Sequence, residues 1–208
     1  SLHDALPIYF DAVAAGPASG CIGGAIDSLS RLWIGGSDGL HIFDLRSRNA
    51  DGSFPYLYYR YKLDNPSSLA SEHICAILPV SDSLVYLAGN GTGFYKAAPS
   101  GDGAFEFRNY SSADGLSNNR TRGLAMDGGG GIWITTDNGL NVFDPGKEQI
   151  RVFGKKDGLE NTQFFWNSTC AGTDGNLYLG HTCGLTVVNP DKTKTVEYDR
   201  PLRFTRII

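Results

Sequence analysis

The chain has 208 residues and a formal net charge of −4, from 18 Lys and Arg against 22 Asp and Glu. The charge is mild and mixed in sign, which excludes the basic stripe that a nucleic-acid face needs. Hydrophobic residues make up 41%, enough for a core, and the longest apolar run, Ile74 to Val80, falls far short of the ~20 residues of a membrane span. Glycine is the unusual count, at 27, nearly twice the usual share of ~7%. Together with 12% aromatics it points to many short strands joined by tight turns.

In chain order, the first segment is Ser1-Leu2-His3-Asp4-Ala5-Leu6-Pro7-Ile8. It resembles the in-frame translation of a common sequencing adaptor, so residues 1–8 are set aside as a tag would be. The single methionine is Met126. The expectation is a gene piece with upstream sequence missing.

From residue 18 onward one motif recurs. Leu32-Trp33-Ile34-Gly35 leads through Asp38-Gly39-Leu40 to Ile42-Phe43-Asp44. Ile132-Trp133-Ile134-Thr135 leads through Asn138-Gly139-Leu140 to Val142-Phe143-Asp144, and Leu177-Tyr178-Leu179-Gly180 through Gly184-Leu185 to Val187-Val188. A degraded copy, Val85-Tyr86-Leu87 with Gly93-Phe94-Tyr95, lies between the first two. The anchors Trp33, Tyr86, Trp133 and Tyr178 are spaced 53, 47 and 45 residues apart. Each copy reads as four short antiparallel strands. In the third they run near 122–126, 132–135, 140–143 and 149–153, and Gly39, Gly139 and Gly184 supply positive φ in the turn after the second strand. Four strands per 40–50 residues is the period of a propeller blade. The expected fold is therefore all-β, a β-propeller fragment of about four four-stranded blades over residues 9–195. In such a blade the run 114–119 shares a face with 135–139, and the glycines 128–131 lie at the opposite face.

These residues resemble a specific family. Trp-Ile-x-x-x-x-Gly-Leu-x-x-Phe-Asp, with Asp-Gly-Leu-Ser-Asn-Asn at 114–119 upstream, is similar to the two-component regulator propeller repeat, found in the periplasmic sensor region of hybrid two-component histidine kinases of Bacteroidetes. The run Glu160 to Phe165 before the last copy resembles the closing blade of such propellers. Residues 196–208, with Pro201-Leu202-Arg203-Phe204, resemble the start of an immunoglobulin-like module. The resemblance implies a periplasmic sensor part of an inner-membrane protein, with no enzyme activity in this chain and the kinase elsewhere in the parent. It implies an oligosaccharide ligand, the remaining blades and a second propeller of the same parent as partners, a homodimer of that parent, and no cofactor. It also implies an open arc taken from a propeller of roughly seven blades. On that basis the side wall of the first blade should be exposed, with unfilled packing around Trp33.

Two rival readings stay open. A propeller enzyme, a lyase or glycosidase, would need paired carboxylates ~5–9.5 Å apart. A protein-interaction propeller would need neither. The four histidines have no metal-ligand spacing, so no metal site is expected. Cys21, Cys75, Cys170 and Cys183 lack zinc-type spacing, and buried free thiols are the expectation. Trp33 and Trp133 recur at one strand position, which marks packing between blades. Trp166 is off the repeat register, beside Phe165, at the mouth of an inner strand. Asn118, Asn119, Arg120 and Arg122 occupy the equivalent mouth one blade earlier. Those six are the candidate ligand contacts, although the two arginines read first as solvated charge or as partners of a neighbouring Asp.

Overall fold

The computed structural model describes residues 20–101 and 103–193. The adaptor-like segment and the expected immunoglobulin-like start lie outside those residues. Fifteen strands form four antiparallel sheets in chain order. The first holds β1 (Gly23–Ile26), β2 (Arg31–Gly35), β3 (Leu40–Asp44) and β4 (Tyr56–Tyr59). The second holds β5 (Ile74–Ser81), β6 (Leu84–Gly89), β7 (Gly93–Pro99) and β8 (Phe105–Tyr110). The third holds β9 (Thr121–Met126), β10 (Ile132–Thr136), β11 (Gly139–Asp144) and β12 (Gln149–Phe153). The fourth holds β13 (Phe164–Ala171), β14 (Leu177–His181) and β15 (Gly184–Val188), three strands among the described residues. Each sheet is a simple meander, so its strands lie in sequence order and its first strand is innermost. This is the propeller arrangement that the repeat predicts.

The four anchors sit on the second strand of their sheets, as the repeat requires. Each pairs across to the first and third strands: Trp33 with Ala25 and Ile42, Tyr86 with Leu78 and Lys96, Trp133 with Ala125 and Val142, Tyr178 with Cys170 and Val187. Strand residues alternate between faces, so each sheet sends one set of side chains back to the sheet before it and one forward. Three cores result. Trp33 packs against Leu87 and Phe105 of the second sheet, and Tyr86 against Phe143 of the third. Trp133 shares the last core with Leu177 and Leu179 of the fourth. Among the described residues no core joins the fourth sheet to the first, and the four sheets form an arc.

The packing around Trp33 differs from the expectation. Trp33 is fully buried and faces the second sheet. The alternation of bulk along β2 shows that Trp33 and its neighbours face opposite ways, and only the packed structure shows which way is forward. The first sheet does expose apolar residues on its opposite face, at Ile26, Tyr56 and Tyr58, and the fourth sheet exposes Leu185 and Val187.

The turn glycines follow the repeat. Gly39, Gly93, Gly139 and Gly184 have φ of +132°, +90°, +120° and +143°. A Cβ on Gly93 would sit 2.0 Å from the Tyr110 carbonyl oxygen, so backbone crowding adds to the left-handed strain at that position. The Asp-Gly-Leu lead-in also has a local cause. Asp114 and Asp157 accept the backbone N–H groups of Ser111 and Gly154, closing a single 3₁₀ turn. Gly115 and Gly158 then leave it in the left-handed conformation, and Leu116 and Leu159 drop into the cores between sheets.

The cysteines depart from the expectation of burial. Cys75 is buried, with its single S–H shared between the carbonyl oxygens of Ala88 and Thr121, 3.3 and 3.2 Å from Sγ. Cys21, Cys170 and Cys183 are exposed. Cys170 lies on the face of β13 that points away from the third sheet, and the turn holding Cys183 has no fourth strand beside it among the described residues.

Candidate functional site at the mouth of the inner strands

The inner strands lie side by side along the arc, and their starts line one rim of it. Their sequences are Gly-Gly-Ala-Ile, Ile-Cys-Ala-Ile-Leu-Pro-Val-Ser, Thr-Arg-Gly-Leu-Ala-Met and Phe-Phe-Trp-Asn-Ser-Thr-Cys-Ala. Arg122 is the one charged side chain on them. It is 8% exposed. Its Nε and Nη2 donate to the two oxygens of Asp137, at 2.5 and 2.7 Å. Asp137 belongs to the turn between β10 and β11, so the predicted sharing of a face by 114–119 and 135–139 holds. Ser117 ties the two loops further, its N–H donating to Asn141 Oδ1 at 2.9 Å and its hydroxyl lying 3.1 Å from that of Thr136.

Trp166 meets Arg122 from the neighbouring sheet. Its ring centroid is 4.3 Å from the guanidinium carbon, the geometry of a cation–π contact worth ~0.5–2 kcal/mol. Trp166 is still 39% exposed, and Phe165 beside it is 51% exposed. The backbone explains their position. The ladder between β13 and β14 pairs Phe164 with His181, breaks, and resumes at Thr169 with Leu179. Residues 165–168 bulge out of the sheet, with Asn167 left-handed at φ +50°. A bulge re-aims side chains, and here it turns Trp166 across the gap to the third sheet.

The other candidates divide. Arg120 is exposed and its Nη1 lies 3.8 Å from Asp137 Oδ2. Asn118 accepts the N–H of Arg120 through its side chain, and Asn119 accepts that of Ser112. The Asn119 carbonyl also takes the N–H groups of Gly91 and Gly93. Both asparagines therefore hold loop geometry at the rim. Arg122 and Arg120 meet at Asp137, Trp166 lies over Arg122, and Phe165 is exposed beside Trp166 in the chain. Composition alone did not single out Asp137, and the signal for it was its place in a turn that shares a face with the start of β9.

Two further properties define the mouth electrostatically. Two arginines and one aspartate leave a local excess of one positive charge. Beneath them, burial pushes the Cys75 thiol up to about 12, with the Arg122 charge pulling the other way. Cys75 is thus a packed thiol and not a nucleophile. At the opposite rim an open cleft of about 1200 Å³ lies between the 127–131 turn and Pro190. Its charged groups are already engaged: Asp127 with Trp133, Lys147 with Asp144, Arg151 with the Thr193 carbonyl. Among the described residues no group of three His, Cys, Asp or Glu could hold a metal, and no helix is long and apolar enough to cross a membrane.

No family model matches the chain. A histidine kinase of Formosa agariphila, Histidine kinase P4, is 19% identical over 184 residues, which cover 86% of this chain and 13% of the kinase. A catalytically inactive virginiamycin B lyase from Staphylococcus aureus, solved with quinupristin, superposes with a TM-score of 0.53 at 16% identity, over 82% of this chain and 55% of that one. The extracellular domain assigned to a hybrid two-component system of B. thetaiotaomicron superposes with a TM-score of 0.67 at 24% identity, over 83% of this chain and 22% of that one. The chain thus spans a small part of the kinase and of the extracellular domain that it matches, and the fold it shares with the solved structures is the blade-by-blade architecture of a β-propeller.

Proposed function

We propose that this chain is a ligand-sensing portion of the extracytoplasmic, periplasmic region of a hybrid two-component sensor, and that it recognises an oligosaccharide. The observation that carries the reading is the mouth: a half-exposed Trp166 laid over a buried Arg122, with Phe165 exposed beside it. An aromatic face takes up the C–H face of a sugar ring, and a fixed arginine orients its polar groups. The likeness in fold to the extracellular domain of a hybrid two-component system supports a sensing role. The partners in this reading are the further blades and second propeller of the same parent, and a second parent copy. Ligand would bias a kinase across the membrane only through its different affinity for two arrangements of those parts.

The likeness to a lyase propeller keeps an enzymatic reading in view. The four inner strands carry no Asp, Glu or His, and this favours binding over sugar cleavage. The test is calorimetric titration of the chain with disaccharides to hexasaccharides, with chromatography of the mixture afterwards. Saturable binding, weakened about tenfold by Trp166→Ala, with the sugar recovered intact, is expected. Absence of saturable binding across the panel overturns the oligosaccharide reading, and shortened sugar in the mixture overturns the non-enzymatic one.

A further inference from the structure

Arg122 is not fully used where it sits. A guanidinium has five N–H donors in a planar fork. Nε and Nη2 are committed to Asp137. Nη1 is buried and has no hydrogen-bond partner among the described residues. A buried donor without an acceptor is unfavourable, because it has lost water and gained nothing. The local charge points the same way, since Arg120 and Arg122 together exceed Asp137 by one. The indole ring over this group is also not tied into the sheet ladder. Trp166 rides on residues 165–168, which make no ladder pairs with β14, and it is already partly in solvent.

We propose that Arg122 Nη1 is the anchoring donor for one anionic group, a carboxylate or a sulfate ester, carried on the ring that Trp166 receives. The ring comes from the oligosaccharide reading above, on which this inference rests. The preference for charge comes from Arg122 Nη1, unpartnered among the described residues, with Arg120 adding to the positive excess at the rim. When Trp166 lifts from the guanidinium, the anion takes the vacant edge of the fork while the other edge stays on Asp137. The ring then stacks on the indole that it has displaced. A neutral sugar gains only the stacking. An acidic sugar gains a charge-assisted hydrogen bond in a poorly solvated place, and such bonds are the stronger kind.

The experiment titrates the full chain with glucose, glucuronate, glucose 6-sulfate and inorganic sulfate, read by tryptophan fluorescence. Trp33 and Trp133 are buried and bonded to aspartates, so the signal reports Trp166, and Trp166→Phe is the silent control. Glucuronate or glucose 6-sulfate is expected to saturate at a concentration at least about tenfold below that of glucose, and their order separates the carboxylate from the sulfate. Arg122→Gln is expected to erase the preference. Arg122→Lys is not expected to restore it, because an ammonium cannot hold Asp137 with one edge and present another. Should Arg122→Gln fail to fold, the wild-type guanidinium nitrogen resonances decide: they shift with the acidic sugar and not with glucose. Equal response to glucose and glucuronate, or a preference unchanged in Arg122→Gln, overturns the proposal. No response to any charged probe also overturns it, leaving the occupant of Nη1 as water and the oligosaccharide reading to its own titration. Response to inorganic sulfate equal to that of the charged sugars keeps the Arg122 anchor and overturns the sugar.

Discussion

The Asp127 carboxylate accepts the indole N–H of Trp133 at 2.7 Å. The other oxygen of the same carboxylate accepts the backbone N–H groups of Gly129 and Gly131, at 2.8 and 3.0 Å. One side chain therefore shapes the hairpin between β9 and β10 and satisfies the buried end of the blade's largest residue. Asp27 does the same for Trp33, at 2.8 Å and likewise six residues ahead, and Asp174 takes the Tyr178 hydroxyl at 2.7 Å. The second sheet breaks the rule. Tyr86 buries a hydroxyl with no partner among the described residues, and desolvation, aided by the charge of Glu148, pushes it up to about 12.

Asp127→Ala is expected to leave the Trp133 N–H and the turn amides without an acceptor. The cost should be about 1–3 kcal/mol, read as a lower melting temperature. Tyr86→Phe removes a hydroxyl that has no partner, and its melting temperature should stay level or rise. A drop in Tyr86→Phe as large as that in Asp127→Ala would contradict the hydrogen-bond account.

The pH dependence follows from Asp27. Burial works to raise its carboxyl, but the Arg31 backbone N–H, the Trp33 indole and the Arg31 guanidinium outweigh it and hold it below its ordinary 3.8. A carboxyl depressed on folding stabilises the fold fully above its unfolded value, and that contribution is lost as pH falls through the folded one. Melting temperature should therefore fall as pH drops below ~4. Asp27→Asn should lie lower at neutral pH and show a shallower acid limb. Parallel curves for the two proteins would remove Asp27 from the acid transition.

Glycine substitutions should separate strain from crowding. Gly93→Ala meets the Tyr110 carbonyl at φ +90°, whereas Gly184→Ala, at φ +143°, has nothing within 4 Å. The first is expected to cost more than about 2 kcal/mol, and the second nearer ~1, the strain alone. Equal losses in denaturant titrations would count against the difference in crowding.

The outward face of the fourth sheet predicts behaviour in solution. Leu185 and Val187 are 58% and 54% exposed on the side opposite the Leu177–Leu179 core. An apolar sheet face of this kind favours association. Size-exclusion chromatography should show concentration-dependent self-association that Val187→Lys reduces. Elution unchanged by the substitution would assign the association to another surface.

Much of this fold was legible because a propeller repeats. The three well-matched copies placed their second and third strands, their anchors and their turn glycines by comparison with one another. The mouth was half legible. Trp166 stood out by falling off the repeat, and Arg122 by its position, but nothing in strand periodicity announces a four-residue break in a ladder. The bulge at 165–168 exists in relation to the neighbouring sheet, and the Arg122–Trp166 contact is made across that gap. The misjudged surroundings of Trp33 have a similar origin. A period of two separates the faces of a strand without saying which face meets which neighbour. The Asp-to-Trp spacing of six was in plain view in two copies, yet its meaning depended on a hairpin short enough to fold the carboxylate back onto the indole.

Because Trp33, Tyr86 and Trp133 all project toward the following sheet, the stack has a direction. Each sheet offers a ring on one face and a receiving hollow on the other, and the two faces are not interchangeable. Joining through these surfaces is heterologous, head to tail. It can continue the series or close it into a circle, whereas a two-fold axis between two identical faces would set ring against ring and leave the receiving hollow unfilled. Tyr178, pointing away from the third sheet, fixes the sense in which the series runs at that end. Self-association through these faces, as expected at Leu185 and Val187, therefore runs head to tail, whereas a two-fold pairing is better suited to the rims or the outer edges of the sheets.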